Sequence, residues 1–293
     1  MYGRFSLAFK ITNWCNLNCT HCCENSGPDQ PMHFMPLDKI EKYLHEFKDL
    51  PYSTSEYVVI GGGEGLGPYL FGDNNYIPDL LMKINKFGGV PTIKTNGVWG
   101  NSPELRRSIL HSLADVVYKT GTVASLDISV DEFHNNIPAV ANIFAEILSN
   151  VYVMLAIRPS LMGFFTLASS NALAQLEKEL KSRGIVMDEL GLKELNVRNI
   201  KISEMGVSVF NLRYEQSVHS INVITDYSNL VVDLGRAKEN NVFTCRFFAP
   251  NFVGENCLQI DGNDTLLLNN YYRAEIKKRP LKTVVNSLIH REK

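Results

Sequence analysis

Three cysteines near the amino terminus have the residue type and spacing for metal chemistry. They lie in the sequence Cys15-Asn-Leu-Asn-Cys19-Thr-His-Cys22, a C-x3-C-x2-C motif. Three thiolates on one short loop can each bind a different iron of a cubane iron–sulfur cluster. The motif then supplies no ligand to the fourth iron, so a small molecule can bind there.

A zinc knuckle, with His21 or Cys23 as fourth ligand, is the alternative for this loop. Zinc sites usually contain two separated ligand pairs, so that the metal closes a long loop. The remaining cysteines, Cys245 and Cys257, are single and far apart in the sequence. The spacing therefore favours a cluster, and Cys23 is interpreted as a buried bystander because adjacent cysteines rarely reach two corners of one cluster.

Polar residues that could hold a ligand follow several apolar runs. The run at 58–60 leads into Gly61-Gly62-Gly63-Glu64, in which glycine lets the backbone approach a ligand closely. This run is not a P-loop, because it lacks the Gly-Lys-Ser/Thr ending. Further candidates at the ends of apolar runs are Asn96, Asp127, Ser129, Asp131, Arg158 and Glu204. Turns, helix caps and a surface salt bridge are the simpler interpretations of these residues.

The elements that must position these residues alternate between strand and helix patterns. Predicted strands cover residues 4–12, 56–60, 90–95, 124–130, 151–157 and 199–203, and predicted helices cover 37–50, 75–87, 137–148 and 167–183, with another beginning after Ser102. Such alternation predicts an α/β fold of parallel strands joined by right-handed crossovers. A partial barrel and an open doubly wound sheet both fit, and ligands gather at the carboxyl ends of the strands in either fold.

The cysteine loop after the first strand resembles the signature of the radical S-adenosylmethionine (radical SAM) superfamily, and the resemblance covers residues 5–205. It implies a partial (β/α)6 TIM barrel that holds one [4Fe-4S] cluster on Cys15, Cys19 and Cys22. It also implies reductive cleavage of S-adenosyl-L-methionine (SAM), with hydrogen abstraction from a substrate and an electron donor of the flavodoxin or ferredoxin type.

The same resemblance implies which residues contact SAM. Residues 62–64 resemble a Gly-Gly-Glu-Pro motif that binds the ligand's amino group, with Gly65 in place of proline. Residues 95–97 resemble a Thr-Asn-Gly motif, and residues 129–131 resemble a Ser-x-Asp motif that contacts the ribose or carboxylate. The predicted SAM-binding set is His21, Gly62, Gly63, Glu64, Asn96, Asp127, Ser129, Asp131, Arg158 and Glu204.

The pattern changes after residue 210, which predicts a radical SAM core over 1–210 and a small α+β extension over 211–293. Apolar runs at 258–260 and 265–268 predict a β-hairpin around Gly262. The extension resembles a degenerate SPASM or twitch domain, because Cys257 is the last cysteine of the chain. We therefore predict one cluster only. Cys245 and Cys257 are interpreted either as buried small hydrophobic residues or as hydrogen donors to a substrate radical.

Such extensions often accompany peptide-modifying enzymes, so a ribosomally made peptide or protein is the first predicted substrate. The chain begins close to the cysteine strand, which argues against a leader-peptide-binding domain before it. A small metabolite or sugar is the alternative substrate. A non-enzymatic metal-binding module is the alternative of another class.

The composition argues against a nucleic-acid-binding, membrane or secreted protein. The chain has 293 residues, 45% of them hydrophobic, and a formal net charge of -2. This balance gives no electrostatic reason to expect binding to nucleic acid or to a membrane surface. No apolar run is long enough to span a bilayer, and the first residues lack a signal-peptide cleavage site. We expect a cytoplasmic protein without structural disulfides.

Overall fold

The structure is a computed structural model, and it describes most of the chain. The described residues are 4–20, 22, 24–50, 54–122, 124–131, 133–162, 170–190, 196–197, 200–201, 207–226, 255–261, 265–268, 272–276 and 280–289.

Strands and helices alternate over the first half of the chain, and strands predominate afterwards. The strands are β1 Arg4–Thr12, β2 Thr54–Gly62, β3 Val90–Thr95, β4 Ala124–Ser129, β5 Ile157–Met162, β6 Ile185–Leu190, β7 Asn196–Val197, β8 Ile200–Lys201, β9 Val207–Tyr214, β10 Ser220–Asp226, β11 Glu255–Asp261, β12 Thr265–Leu268 and β13 Tyr272–Glu275. The α-helices are α1 Leu37–Lys48, α2 Gly67–Leu70, α3 Tyr76–Lys86, α4 Pro103–Thr120, α5 Ile137–Ser149, α6 Val151–Ala156, α7 Ser170–Lys181 and α8 Leu281–Ile289. A 3-10 helix spans Val98–Asn101.

The first of two compact units contains residues 1–18, 24–93 and 250–293. Its strands lie in the order β13-β12-β11-β1-β2-β3, with β11, β1, β2 and β3 parallel to one another and β12 and β13 antiparallel to their neighbours. Leu7, Phe9 and Ile11 of β1 are buried at every second position, as expected for a strand with one face in the core. The buried face of α1 contains Ile40 and Leu44, and α1 packs against α3.

The second unit contains residues 19–23 and 94–249. Its main strands lie in the order β4-β5-β10-β9-β6, with β4, β5 and β10 parallel and the β10–β9 and β9–β6 pairs antiparallel. The apolar face of α5, which includes Ile143, Phe144 and Ile147, is completely buried. This unit also contains the carboxyl end of β4, where several candidate ligand-binding residues lie.

The predicted α/β fold class, with the strand–helix order of a partial (β/α)6 barrel, is confirmed. The predicted C-terminal hairpin is also present, since β11 and β12 are antiparallel with Leu258 opposite Leu268. The sequence did not predict that β11 also pairs with β1 in parallel. The division at residue 210 stays a prediction.

One predicted strand was wrong, and another is described only in part. Residues 151–157 were assigned to a strand, but α6 covers most of them and β5 begins only at Ile157. The Asn150 side chain accepts hydrogen bonds from the amides of Tyr152 and Val153, so a helix cap overrides the strand propensity of the Val-Tyr-Val run. Of the predicted strand at 199–203, the described residues Ile200 and Lys201 form the short β8, and the other three lie outside the described residues. The strand that pairs with β5 in parallel is β10.

None of the helices in the described part of the chain is long and apolar enough to cross a membrane.

Candidate active site

Backbone hydrogen bonds hold the start of the cysteine loop after β1. The amide of Cys15 donates to the carbonyl of Gly27 at 3.2 Å, and the amide of Gly27 donates to the carbonyl of Asn13 at 3.3 Å. The Cys15 sulfur accepts from the amide of Leu17 at 3.5 Å, and it lies 3.9 Å from Oδ1 of Asn16. Cys15 is half-buried, so the loop presents this thiol at the surface of the first unit.

Cys19 and Cys22 belong to the second unit, where the Cys22 amide donates to the Cys19 carbonyl at 3.2 Å. Both side chains are half-buried, and none of the three motif cysteines forms a disulfide. In the described ranges, no three His, Cys, Asp or Glu side chains are grouped so that they could hold a single metal ion. Ligands of one ion converge on one point, whereas the cysteines of a cubane each bind a different iron. Three thiols outside disulfides therefore have the donor chemistry that a cubane requires.

The glycine turn after β2 packs directly against the segment that leads into Cys15. The amide of Gly63 donates to the carbonyl of Thr12 at 2.8 Å, and the amide of Glu64 donates to the carbonyl of Trp14 at 2.9 Å. A Cβ atom on Gly63 would lie 1.8 Å from the Trp14 carbonyl oxygen. Only glycine at position 63 allows the two backbone segments to come this close. The glycine is therefore required here by steric contact within the protein.

Glu64 is buried, with a relative exposure of 1%. Its Oε1 accepts from the amide of Leu66 at 3.0 Å, and its carbonyl accepts from the amide of Gly67 at 2.9 Å. The carboxylate therefore also shapes the turn into α2. Gly65, at the position where the motif usually has proline, lies between Glu64 and the two residues whose amides donate to it. Contact between Glu64 and the SAM amino group stays a prediction.

In the second unit, Asn96 lies in the tight turn that the Asn-Gly sequence predicts. Its Oδ1 accepts from the amide of Val98 at 3.0 Å, and Gly97 has a φ of 71°. The Thr95 hydroxyl accepts from the Trp99 indole nitrogen at 2.9 Å and from the Gly97 amide at 3.2 Å. The turn interpretation is thus correct, and the SAM-binding role of Asn96 remains a prediction.

The polar face of β4 contains Ser125, Asp127 and Ser129, which are half-buried and alternate with buried apolar residues. The Asp127 carboxylate accepts hydrogen bonds from the hydroxyls of Ser160, its partner on β5, and of Ser125, the latter at 3.4 Å. Arg158 lies opposite Ser125 and is exposed. Asp127 is therefore fixed by hydroxyl donors, whereas the guanidinium of Arg158 faces solvent.

Asp131, which follows β4, organises a turn around a histidine. It is 1% exposed, and its Oδ1 accepts from the amides of Phe133 at 2.9 Å and His134 at 3.0 Å. The same oxygen lies 2.7 Å from Nδ1 of His134. An ionised carboxylate only accepts, so Nδ1 carries the proton in this pair.

Sequence reasoning missed Asn136. This residue is 1% exposed, and its side-chain amide donates to the carbonyls of Asn96 and Ser129, the second bond at 2.6 Å. A polar residue just before Ile137-Pro138 is a possible signal for a helix cap, but nothing in the sequence points to these two acceptors.

His21, Glu204 and Cys245 lie outside the described residues. Cys257 lies on β11 with its Cα opposite Ser6, near the start of β1. Thr12 lies six positions after Ser6, which corresponds to about 20 Å along a strand. The hydrogen-donor role of Cys257 remains a prediction, and this distance from the cysteine loop does not support it.

Residues 9–152 match the family model described as the Radical SAM superfamily. YydG of Bacillus subtilis (strain 168), a protein whose name assigns it provisionally to peptide biosynthesis, is 27% identical over 134 residues. This match covers 46% of the chain and 38% of YydG, so the chain matches well under half the length of that relative.

Weaker likenesses connect the chain to solved structures. Streptococcus suis SuiB bound to the precursor peptide SuiA has a TM-score of 0.43 and 13% identity, with 97% of this chain and 65% of that chain covered. The chain anSMEcpe with bound AdoMet has a TM-score of 0.41 and 16% identity, with 61% and 47% covered. At these scores the overall similarity is low.

Proposed function

Residues 9–152 belong to the radical SAM superfamily, and from this premise we propose that the chain binds one [4Fe-4S] cluster through Cys15, Cys19 and Cys22. We further propose that the enzyme cleaves SAM reductively and removes a hydrogen atom from its substrate. A reduced cluster held by these cysteines would supply the one electron needed to cleave a carbon–sulfur bond of SAM into methionine and a 5′-deoxyadenosyl radical.

The contact between the glycine turn and the cysteine loop is the observation that carries this proposal. Gly63 packs against Trp14, the residue before Cys15, and leaves no room for a side chain at position 63. The turn that would bind the SAM amino group is therefore built onto the segment that presents the first cysteine. A short loop held in this way favours simultaneous binding of the cluster and its ligand.

The chain's own residues would bind and orient SAM. Backbone groups of Gly62 and Gly63 and the buried Glu64 carboxylate offer acceptors to an ammonium group. Asn96 follows β3, Ser129 ends β4 and Asp131 follows β4. These three residues would bind the nucleoside or the carboxylate.

A ribosomally made peptide or protein is the substrate class that we propose. The name of YydG refers to peptide biosynthesis, and the family match at residues 9–152 includes the cysteine motif and the glycine turn. A flavodoxin or ferredoxin would supply the electron. In the family chemistry, hydrogen abstraction from the substrate follows the cleavage of SAM. The final product depends on the substrate.

The cofactor part of the proposal is tested with anaerobically purified protein. We expect a brown protein with about four irons per chain that forms 5′-deoxyadenosine from SAM when dithionite is added. A Cys15→Ala/Cys19→Ala/Cys22→Ala variant should lose iron and activity, whereas the control Cys257→Ala should keep its iron. A colourless protein that binds zinc and leaves SAM intact would contradict the proposal.

The substrate class is tested separately. Short peptides encoded beside the gene are incubated with the active enzyme, SAM and reductant, and their masses are followed. A mass change that requires SAM supports a peptide substrate. Unchanged peptides, together with SAM-dependent conversion of a small metabolite by the same preparation, would contradict it.

A further inference from the structure

We propose that Asn136 is a positioning residue that sets the spacing between the ends of β3 and β4, and that SAM affinity depends on it. The inference rests on the proposed function, because it concerns the residues that would contact SAM at these strand ends. Asn136 itself is not placed among those contacts.

The side-chain amide of Asn136 bonds to both strand ends at once. It donates to the carbonyl of Asn96, directly after β3, and to the carbonyl of Ser129, the last residue of β4. The two acceptors are 33 residues apart in sequence, so this one amide connects two segments that are distant in the chain. Both acceptors belong to residues of the predicted SAM-binding set.

The Asn136 side chain makes these bonds in place of the helix-capping bond that is usual at its position. It precedes the first residue of α5, where an asparagine side chain normally accepts a hydrogen bond from a first-turn amide. The α5 start has no such side-chain cap. The Asn136 carbonyl accepts from the Val140 amide at 3.0 Å, so the residue remains anchored to the helix. The side chain therefore serves the strand ends rather than its own helix.

Packing around Gly97 makes the spacing at this junction tight. A Cβ atom on Gly97 would lie 2.8 Å from Cγ2 of Ile128 on β4 and 3.3 Å from Cγ2 of Val140 on α5. The turn after β3 therefore packs closely against β4 and α5. Asn136 forms its two hydrogen bonds beside this apolar contact. Within the described residues, Oδ1 of Asn136 is buried with no hydrogen-bond partner, a cost that proteins tolerate mainly where a buried polar group has a further role.

The positioning has a direct consequence for ligand binding. Asn136 donates to the backbone carbonyls of Asn96 and Ser129, whose side chains belong to the predicted SAM-binding set. Asp131, also in that set, lies two residues after Ser129. If the amide is removed, the two carbonyls lose their shared donor and the strand ends can shift. Small displacements of groups that hold a ligand weaken binding strongly, even when the fold persists.

The test compares two variants of Asn136 with one control in the same helix. Asn136→Ala removes the amide, and Asn136→Asp keeps the shape but presents oxygens to two carbonyl oxygens. Asn142→Ala is the control, because Asn142 on α5 accepts from Arg183 at 3.1 Å and donates to the Gly100 carbonyl at 3.4 Å, away from the strand ends. All proteins carry the reconstituted cluster, and iron content and melting temperature are measured for each.

The main measurement is calorimetric binding of SAM and of S-adenosylhomocysteine, which needs no electron. We expect both Asn136 variants to bind SAM about 10-fold more weakly, with the rate at saturating SAM changed by no more than about twofold. The control should bind within about twofold of the wild type. Hydrogen exchange at residues 96–98 and 129–131 should accelerate in the Asn136 variants only.

Three outcomes would overturn the inference. Wild-type affinity in the Asn136 variants, with a lowered melting temperature, would show a purely structural side chain. Equal loss of affinity in the control would show a general effect of destabilising α5. Loss of the folded state in both Asn136 variants would assign the side chain to folding. A wild-type protein that binds no SAM would instead refute the proposed function and the inference together.

Discussion

Gly63 and Trp14 are in such close contact that a Cβ atom on the glycine would lie 1.8 Å from the carbonyl oxygen of Trp14. The Glu64 amide donates to the same carbonyl at 2.9 Å. This close packing and this hydrogen bond join the glycine turn to the residue before the first motif cysteine. Changes on one side of the contact should therefore be felt on the other.

Replacing Gly63 by alanine should disrupt the cysteine loop. The added carbon meets backbone atoms that cannot rotate away, so we expect a loss of about 3 kcal/mol in the free energy of unfolding. The displaced Trp14 carbonyl should also lower the iron content after reconstitution. Urea unfolding and iron analysis measure the two effects.

The matched control is Gly72→Ala in the same unit. Gly72 has a φ of 79°, and apart from Gly72 and its two chain neighbours no atom of the described residues lies within 4 Å of the position that its Cβ would take. The control therefore tests backbone strain without a clash. It should cost about 1 kcal/mol and leave the iron content unchanged. Equal iron loss in both variants would show that general destabilisation, rather than the contact with Trp14, controls cluster assembly.

Single substitutions of Cys15, Cys19 or Cys22 by serine should each prevent stable cluster assembly. A cubane held by two thiolates is poorly retained, so iron should fall from about four per chain to a small fraction of that. Anaerobic iron analysis and visible absorption follow the change. Cys257→Ser, in a strand opposite Ser6, should keep wild-type iron. A motif variant that keeps full iron would remove that cysteine from the ligand set.

Asp131→Ala should destabilise the turn after β4 more than His134→Ala does. The buried Asp131 oxygen accepts from two backbone amides as well as from His134, and the histidine variant removes only the ring contact. We expect losses of about 3 kcal/mol and about 1 kcal/mol, respectively. Urea unfolding midpoints compare them. Equal losses would mean that the two backbone amides contribute nothing to the turn.

Tyr152 should stay protonated at a pH where an ordinary tyrosine ionises. Its hydroxyl donates to Asp115 at 2.6 Å, and this bond, together with desolvation and the Asp115 charge, raises the pKa of Tyr152 to about 12. Because the pKa is raised on folding, the stabilisation is complete below pH 10 and is lost as the pH rises towards 12. Ultraviolet titration against Tyr152→Phe isolates this residue.

Asp115→Asn is the companion variant for that titration. It removes the negative charge and the carboxylate acceptor, so the pKa of Tyr152 should move down towards its ordinary value. The melting temperature at neutral pH should change little, because the pair lies on the surface. An unchanged pKa of Tyr152 in this variant would show that Asp115 is not the cause of the shift.

Much of the cysteine loop and of the strand–helix order could be predicted because both are local properties. The C-x3-C-x2-C spacing lies within eight residues, and β1 and β3 have the predicted bounds because their runs of apolar and polar residues are bounded by clear turns. Capping also predicted the start of α4, where the Ser102 hydroxyl accepts from the Leu105 amide at 3.3 Å. The strand prediction at 151–157 was wrong because one side chain, that of Asn150, caps a helix there by accepting from the Tyr152 amide.

The sequence by itself determined which groups are available: three thiols, a glycine run with a carboxylate, and polar residues after strands. Only the tertiary structure decided which of them meet. Residue type does not reveal that Gly63 packs on Trp14, that β11 pairs with β1, or that Asn136 donates to two strand ends. These relationships join segments far apart in the chain, and they result from competition among many possible long-range contacts rather than from any local preference.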